Sequence, residues 1–155
     1  MTVLRRAEAS DLDAIMAIER ASYPDDAWST SSMRAELSGP HGYYLVAVDE
    51  SGDGSGAGIE GYGGLLAPEG SHQGDVQTLT VAEPARGRGI GRALLNALLA
   101  EAGRRGADEV FLEVRAGNGI AQGLYASLGF ERIAVRPHYY QPDGEDAWVM
   151  RRTAS

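Results

Sequence analysis

The sequence predicts an α+β fold, an α/β sandwich in which a mixed sheet carries helices on its faces. Three observations lead there. Runs rich in β-branched and aromatic residues recur along the chain, as in Tyr43-Tyr44-Leu45-Val46-Ala47-Val48. Between them lie segments whose apolar residues repeat at three- and four-residue spacing. No internal repeat or linker interrupts the 155 residues, so the expectation is one domain over 1–155 in the order βααβββαβαββ.

Each element has its own signal. Val3-Leu4-Arg5-Arg6 reads as the opening strand. Ser10-Asp11-Leu12-Asp13 then resembles a capping box, with Ser10 as N-cap and an acid three residues on. Leu12, Ile15, Met16 and Glu19 follow at helical spacing, and the helix ends before Pro24, because proline disfavours a helical residue ahead of it. A second short helix starts near residues 29–31, carries Met33 and Leu37 on one face, and is stopped by Gly39-Pro40. After the strand at 43–48, residues 49–61 hold so many Gly, Ser and Asp that little side chain is left to pack, and the stretch reads as a long hairpin loop. Residues 62–67 return as a strand, and Val76-Gln77-Thr78-Leu79-Thr80-Val81 is the next. A glycine-rich turn leads into a helix with Leu94, Leu95, Leu98 and Leu99 on one apolar face, ending near residues 103–106. Val110-Phe111-Leu112-Glu113-Val114 reads as a mostly buried strand. After Gly117-Asn118-Gly119, a helix carries Ile120, Ala121, Leu124, Tyr125 and Leu128; Gly129 caps it, with Phe130 placed for the apolar contact that follows such a cap. Residues 133–135 and 147–150 read as two closing strands.

Charge and composition exclude several classes. The net charge is −8, from 22 acids and 14 bases, and every base is arginine. Residues 1–80 hold 13 acids and 4 arginines, whereas 81–155 hold 9 acids and 10 arginines. So acidic a chain lacks the phosphate-neutralising surface of a nonspecific nucleic-acid binder, and it suits a basic peptide or an amine instead. With no cysteine, disulfides, thiol nucleophiles and thiolate metal sites are out. His41, His72 and His138 lack metal-ligand spacing, so no metal is expected. No apolar stretch nears the roughly 20 residues of a membrane helix, and residues 1–10 lack the apolar core of a secretory signal. The expectation is a cytoplasmic protein with no membrane and no direct nucleic-acid partner; the sequence sets no oligomeric state.

The most informative stretch is Ala82-Glu83-Pro84-Ala85-Arg86-Gly87-Arg88-Gly89-Ile90-Gly91, between a strand and a helix. Gly87, Gly89 and Gly91 remove side chains, so backbone N–H groups can face a ligand, and the helix start adds the positive end of its dipole. Arg86, Arg88 and Arg92 add charge. Such a turn suits a phosphate or pyrophosphate. It lacks the full dinucleotide pattern, and the absence of lysine excludes a nucleoside-triphosphatase loop.

The pattern Arg/Gln-x-x-Gly-x-Gly/Ala, here residues 86–91, resembles the acetyl-coenzyme A loop of the GNAT acyltransferases. Leu112-Glu113-Val114-Arg115-Ala116-Gly117-Asn118, then Leu124-Tyr125-Ala126-Ser127-Leu128-Gly129-Phe130, resembles the C-terminal core of that family, and specifically the RimI-type ribosomal-protein alanine N-acetyltransferases. Tyr139-Tyr140, Pro142, Gly144, Glu145-Asp146-Ala147 and Met150 are similar to that group's tail. The match is dense over 78–150 and thin before it. Gly117 in place of serine, Gly119, Gly123 and the long 49–61 loop depart from the pattern.

The resemblance implies a GNAT fold with a mixed, mostly antiparallel sheet. It implies acetyl-CoA as co-substrate and a free N-terminal amine, alanine of a ribosomal protein, as acceptor. It makes Glu113 the proton acceptor and Tyr125 the proton donor. It gives Leu79, Thr80 and Val81 backbone contacts to acetyl-CoA, and Arg86, Gly87, Arg88, Gly89, Ile90, Gly91, Arg92 and Asn118 contacts to the same molecule. Glu113 lies in an apolar run, where desolvation raises a carboxylate's pKa; facing solvent, or pairing with Arg115, is the other reading. Tyr125 is equally a core aromatic and Asn118 equally an N-cap. Tyr139 and Tyr140 are candidates for a peptide-binding wall or a cover for a sheet edge. Acetylation of protein lysine, or of a small amine such as a polyamine or aminoglycoside, is the alternative activity. A coenzyme-binding regulator without turnover and a dinucleotide module are further readings.

Overall fold

The structure, a computed structural model, describes residues 2–50 and 58–153. Strand β1 (Thr2–Arg6) leads through a 3-10 turn (Ala9–Asp11) to α1 (Leu12–Ser22) and α2 (Thr30–Ser38). Three strands follow, β2 (Gly42–Asp49), β3 (Ile59–Leu66) and β4 (Gln73–Val81), then α3 (Ile90–Arg104), β5 (Glu109–Arg115), α4 (Gly119–Ser127), β6 (Glu131–Arg136) and β7 (Ala147–Thr153). This is the element order expected. The seven strands form one sheet in the order β1-β2-β3-β4-β5-β7-β6. All neighbours are antiparallel except β4 and β5.

Helix α3 covers one face of the sheet. Leu94, Leu95 and Leu98 are fully buried against Leu45, Leu65, Val110 and Leu112, and each such side chain stabilises the fold by about 1.5–3 kcal/mol. Helices α1 and α2 cover the other face through a smaller cluster, with Ile15, Met16 and Met33 packed on Val46, Tyr44 and Tyr62. Room for the Tyr44 ring comes from Gly64, where an added Cβ would sit 2.2 Å from the ring.

Several boundaries differ from expectation, each for a local reason. The capping box before α1 starts at Glu8, not Ser10: the Glu8 side chain accepts the Asp11 N–H, and the Asp11 carboxylate accepts the Glu8 N–H at 2.7 Å while gripping the Arg5 guanidinium at 2.8 and 2.9 Å. The expected loop at 49–61 is shorter at its far end, because Ile59 already pairs with Val48 and the Asp49 N–H donates to the Gly58 carbonyl at 2.8 Å; its residues 51–57 lie outside the described residues. Strand β5 is one-sided rather than mostly buried: Val110, Leu112 and Val114 face the α3 core, and Glu113 is exposed. Ser29 caps α2 by accepting the Ser32 N–H at 3.0 Å. Past α4, Gly129 takes φ +94° and the Phe130 N–H returns to the Tyr125 carbonyl at 3.0 Å, the cap anticipated.

Glu101 ties the end of α3 to the sheet. It binds Arg104 and, at 2.7 Å, Arg105, whose guanidinium donates to the carbonyls of His41 at 2.9 Å and Ala67 at 3.1 Å. Hydrogen bonds from Arg104 and Arg105, against the opposing cost of burial, hold the Glu101 carboxyl at about 2, below its ordinary 4.5. A depressed carboxylate stabilises the fold above its ordinary pKa and loses that contribution as pH falls through the folded value. Stability should therefore drop between pH 4.5 and about 2. Glu101→Gln should flatten that part of a pH series of denaturant unfolding curves while lowering stability at neutral pH.

Candidate active site

The parallel pair β4–β5 is in register at only three positions, Gln73↔Glu109, Gly74↔Val110 and Asp75↔Phe111. Beyond Asp75 the two strands part. Val76 and residues 78–81 of β4 keep their β3 partners, with a bulge at Gln77, and residues 112–115 of β5 keep their β7 partners, but neither has a partner across the gap. The vertex is pinned where the His72 carbonyl accepts the Asp108 and Glu109 N–H groups at 2.8 and 3.1 Å. The opening is a cleft of about 940 Å³, lined by β4 and β5, the start of α4, the α1–α2 loop and the β6–β7 loop. Backbone groups along one side of β4 thus face a cavity, an arrangement open to a ligand that hydrogen-bonds like a strand.

The glycine-rich turn follows the end of β4, and its residues are not among those lining the cleft. Gly87 and Gly89 take φ +81° and +82°, a left-handed backbone that side-chained residues resist. Gly91 is an ordinary helical residue lying against Leu124 and Val81. Ile90 is buried and anchors the first turn of α3, leaving its N–H groups at the helix start. Each arginine has a protein partner: the Arg86 side chain donates to the Val81 carbonyl at 2.9 Å, Arg88 pairs with Glu60, and Arg92 donates to the Ser127 hydroxyl at 3.0 Å.

Tyr125 and Glu113 line the same cleft. Tyr125 is buried, its ring tilted against Phe130 with centres 6.0 Å apart, and burial pushes its phenol well above the ordinary value. Glu113 faces the cavity instead of lying in an apolar sleeve; its nearest cation is Arg136 at 3.6 Å, not Arg115. Tyr139 and Tyr140 stand edge to face, 5.2 Å apart, beside it. Burial and the Glu113 charge push both phenols up, Tyr140 to about 12. Asn118 caps α4, accepting the Ala121 N–H at 3.1 Å, and borders the cleft as well. Leu79 lines the cleft; Thr80 is buried and its hydroxyl meets the Tyr23 hydroxyl at 3.0 Å, while Val81 packs on the core.

Sequence reasoning missed two groups. Beneath the cleft, buried Glu19 accepts hydrogen bonds from the Tyr62 hydroxyl and, at 3.0 Å, from the Trp28 N–H. Its signal was visible: a carboxylate on the apolar stripe of α1 needs a buried partner. Arg115 is the second, and its partners Asp26, Asp143 and Glu145 are too far apart in sequence for spacing to reveal them. The histidines stay apart: His72 meets Asp108 at 3.0 Å and His138 the Gly144 carbonyl at 3.2 Å. No cluster of metal-binding side chains occurs among the described residues, nor a helix long and apolar enough to cross a membrane.

The sheet thus parts between β4 and β5, a glycine-rich turn opens α3, and Glu113 and Tyr125 line one cavity. The chain belongs to the Acetyltransferase (GNAT) family, whose model matches residues 12–130, and is an acyltransferase. It is 40% identical over 130 residues to the N-alpha-acetyltransferase RimI of Mycobacterium tuberculosis, covering 83% of this chain and 77% of that protein. It is 29% identical over 148 residues to a putative ribosomal protein bS18-alanine N-acetyltransferase of Bacillus subtilis, covering 95% and 92%. The crystal structure of the ribosomal-protein-S18-alanine N-acetyltransferase from Escherichia coli superposes with a TM-score of 0.86 at 28% identity, covering all of this chain and 95% of that one.

The turn makes its own prediction. Around Gly89 an added Cβ meets open space, so Gly89→Ala should cost only the left-handed backbone strain, about 1–2 kcal/mol of unfolding free energy. Gly91→Ala, in helical backbone with ordinary contacts of 3.6 and 3.7 Å, should be neutral or stabilising. Denaturant unfolding of the two variants separates these outcomes.

Proposed function

We propose that the chain transfers an acetyl group from acetyl-CoA to the free N-terminal amine, alanine, of a ribosomal protein. The observation that carries this reading is the cleft between β4 and β5, which has unpaired strand backbone on one side and both Glu113 and Tyr125 on its lining. The similarity to proteins named for N-terminal and ribosomal-alanine acetylation supports the choice of acceptor. The donor set fits acetyl-CoA: the backbone of Leu79, Thr80 and Val81 suits its amide-bearing arm, the turn from Arg86 to Arg92 suits its phosphates, and Asn118, at the start of α4, offers a polar side chain on the cleft. When bound, acetyl-CoA supplies the acetyl group as a thioester.

In this reading each side chain has one task. Glu113 takes the proton from the attacking amine. An α-amine, with an ordinary pKa near 8, asks less of that base than a lysine near 10.4. A strand N–H of β4 polarises the thioester carbonyl. Tyr125, a protonated phenol at neutral pH, gives its proton to the departing sulfur. Tyr139 and Tyr140 wall the acceptor side. The acceptor protein and the cytoplasm in which it would be met belong to the same proposal.

The test is mass spectrometry of peptides incubated with the protein and acetyl-CoA. A peptide with free N-terminal alanine and basic residues after it should gain one acetyl group; the same peptide with a blocked α-amine and a free lysine should gain none. Acetylation of the lysine alone would move the assignment to lysine or small amines. Glu113→Gln should lower kcat by about 10²–10⁴-fold with acetyl-CoA affinity retained. Tyr125→Phe should lower kcat by about 10²-fold without changing stability, since the ring against Phe130 is kept.

A further inference from the structure

We infer that Arg115 is a positioning residue for the acceptor end of the cleft, strapping the α1–α2 loop to the β6–β7 loop. This rests on the reading that an amine acceptor enters between those loops. Arg115 ends β5, two residues beyond Glu113. One arm of its guanidinium pairs with Asp26 in the α1–α2 loop. The other pairs with Asp143 at 3.0 Å and Glu145 at 2.9 Å in the β6–β7 loop. Its planar face lies 4.2 Å from the centre of the Tyr140 ring. Glu145 is held in turn by the Gly117 N–H at 2.8 Å, and Tyr140 by its N–H to the Glu145 carbonyl at 3.0 Å.

Arg115 therefore joins segments that no strand or helix connects. Tyr23, Asp26, Tyr139 and Tyr140 line the cleft, and a second hollow of about 210 Å³ lies between the same two loops, bounded by Pro24, Asp26, Arg115 and Pro142. If the strap loosens, the two walls part and Tyr140 loses its fixed place, while β4 and the glycine-rich turn are untouched. An arginine is required because only a planar fork can serve three carboxylates and a ring at once. The guanidinium is a quarter exposed, so salt reaches the strap and weakens it.

The experiment measures KM for both substrates in the parent, Arg115→Lys and Asp26→Asn, at low and high salt. The acceptor is whichever of three the parent acetylates: the alanine peptide, the lysine peptide or a polyamine. A parent that ignores the alanine peptide thus overturns the acceptor assignment and leaves this test standing. Arg115→Lys should raise the acceptor KM about tenfold and Asp26→Asn about threefold, with the acetyl-CoA KM within about twofold. The double variant should be no worse than Arg115→Lys alone, because both cut the same strap. Raising salt should lift the parent's acceptor KM by a larger factor than that of Arg115→Lys, in which the strap is already weakened. An unchanged acceptor KM in both variants, or an equal rise in both substrates' KM, overturns the proposal.

Discussion

The structure depends on one interrupted pairing. Parallel strands β4 and β5 hold each other for three residues and then separate, although each remains hydrogen-bonded to its other neighbour. A sheet that opens in its middle leaves strand backbone exposed to a cavity, which costs free energy unless something else bonds to it. The long α3, packed across β2, β3 and β4 by three buried leucines, holds the near half of the sheet. The β5–β7–β6 half is held by seven register pairs between β5 and β7. The opening persists because each strand keeps its outer partner while both halves share the α3 core.

Around that opening the polar groups are arranged in two tiers. Below, buried Glu19 anchors the α1–α2 loop from within, through the Trp28 N–H and Tyr62, while Tyr23 meets Thr80 on β4. Above, Arg115 holds the same loop from outside through Asp26 and joins it to the β6–β7 loop. Tyr125 lies buried within the wall, and Glu113 stands in the open beside Arg136 and the two tyrosines.

Much of this was legible in the sequence. The element order followed from periodicity and punctuation, since Gly39-Pro40, Gly129 and the strand runs act locally. Glu113 and Tyr125 stood out because they sit in motifs that resemble a known family, and both line the cleft. The burial of Glu113 was misread: an apolar run looks buried on both faces, but only Val110, Leu112 and Val114 turn to the core, and the odd face borders the cleft. The α1 cap was misplaced because Asp11 serves Arg5 and Glu8 together, a contact between strand and turn that spacing alone does not encode. The Arg115 strap joins residues 28 to 89 positions apart, and no local pattern reports such a distance.

The central claim is that the unpaired edge of β4 and the turn before α3 receive acetyl-CoA. Amide hydrogen exchange, residue by residue, with and without acetyl-CoA tests it most directly. Slowed exchange is expected at residues 77–81, at 87–92 and around Asn118, with little change in β1, β2 and α2. Unaltered exchange at those positions under saturating acetyl-CoA, or protection appearing elsewhere on the sheet, would contradict it.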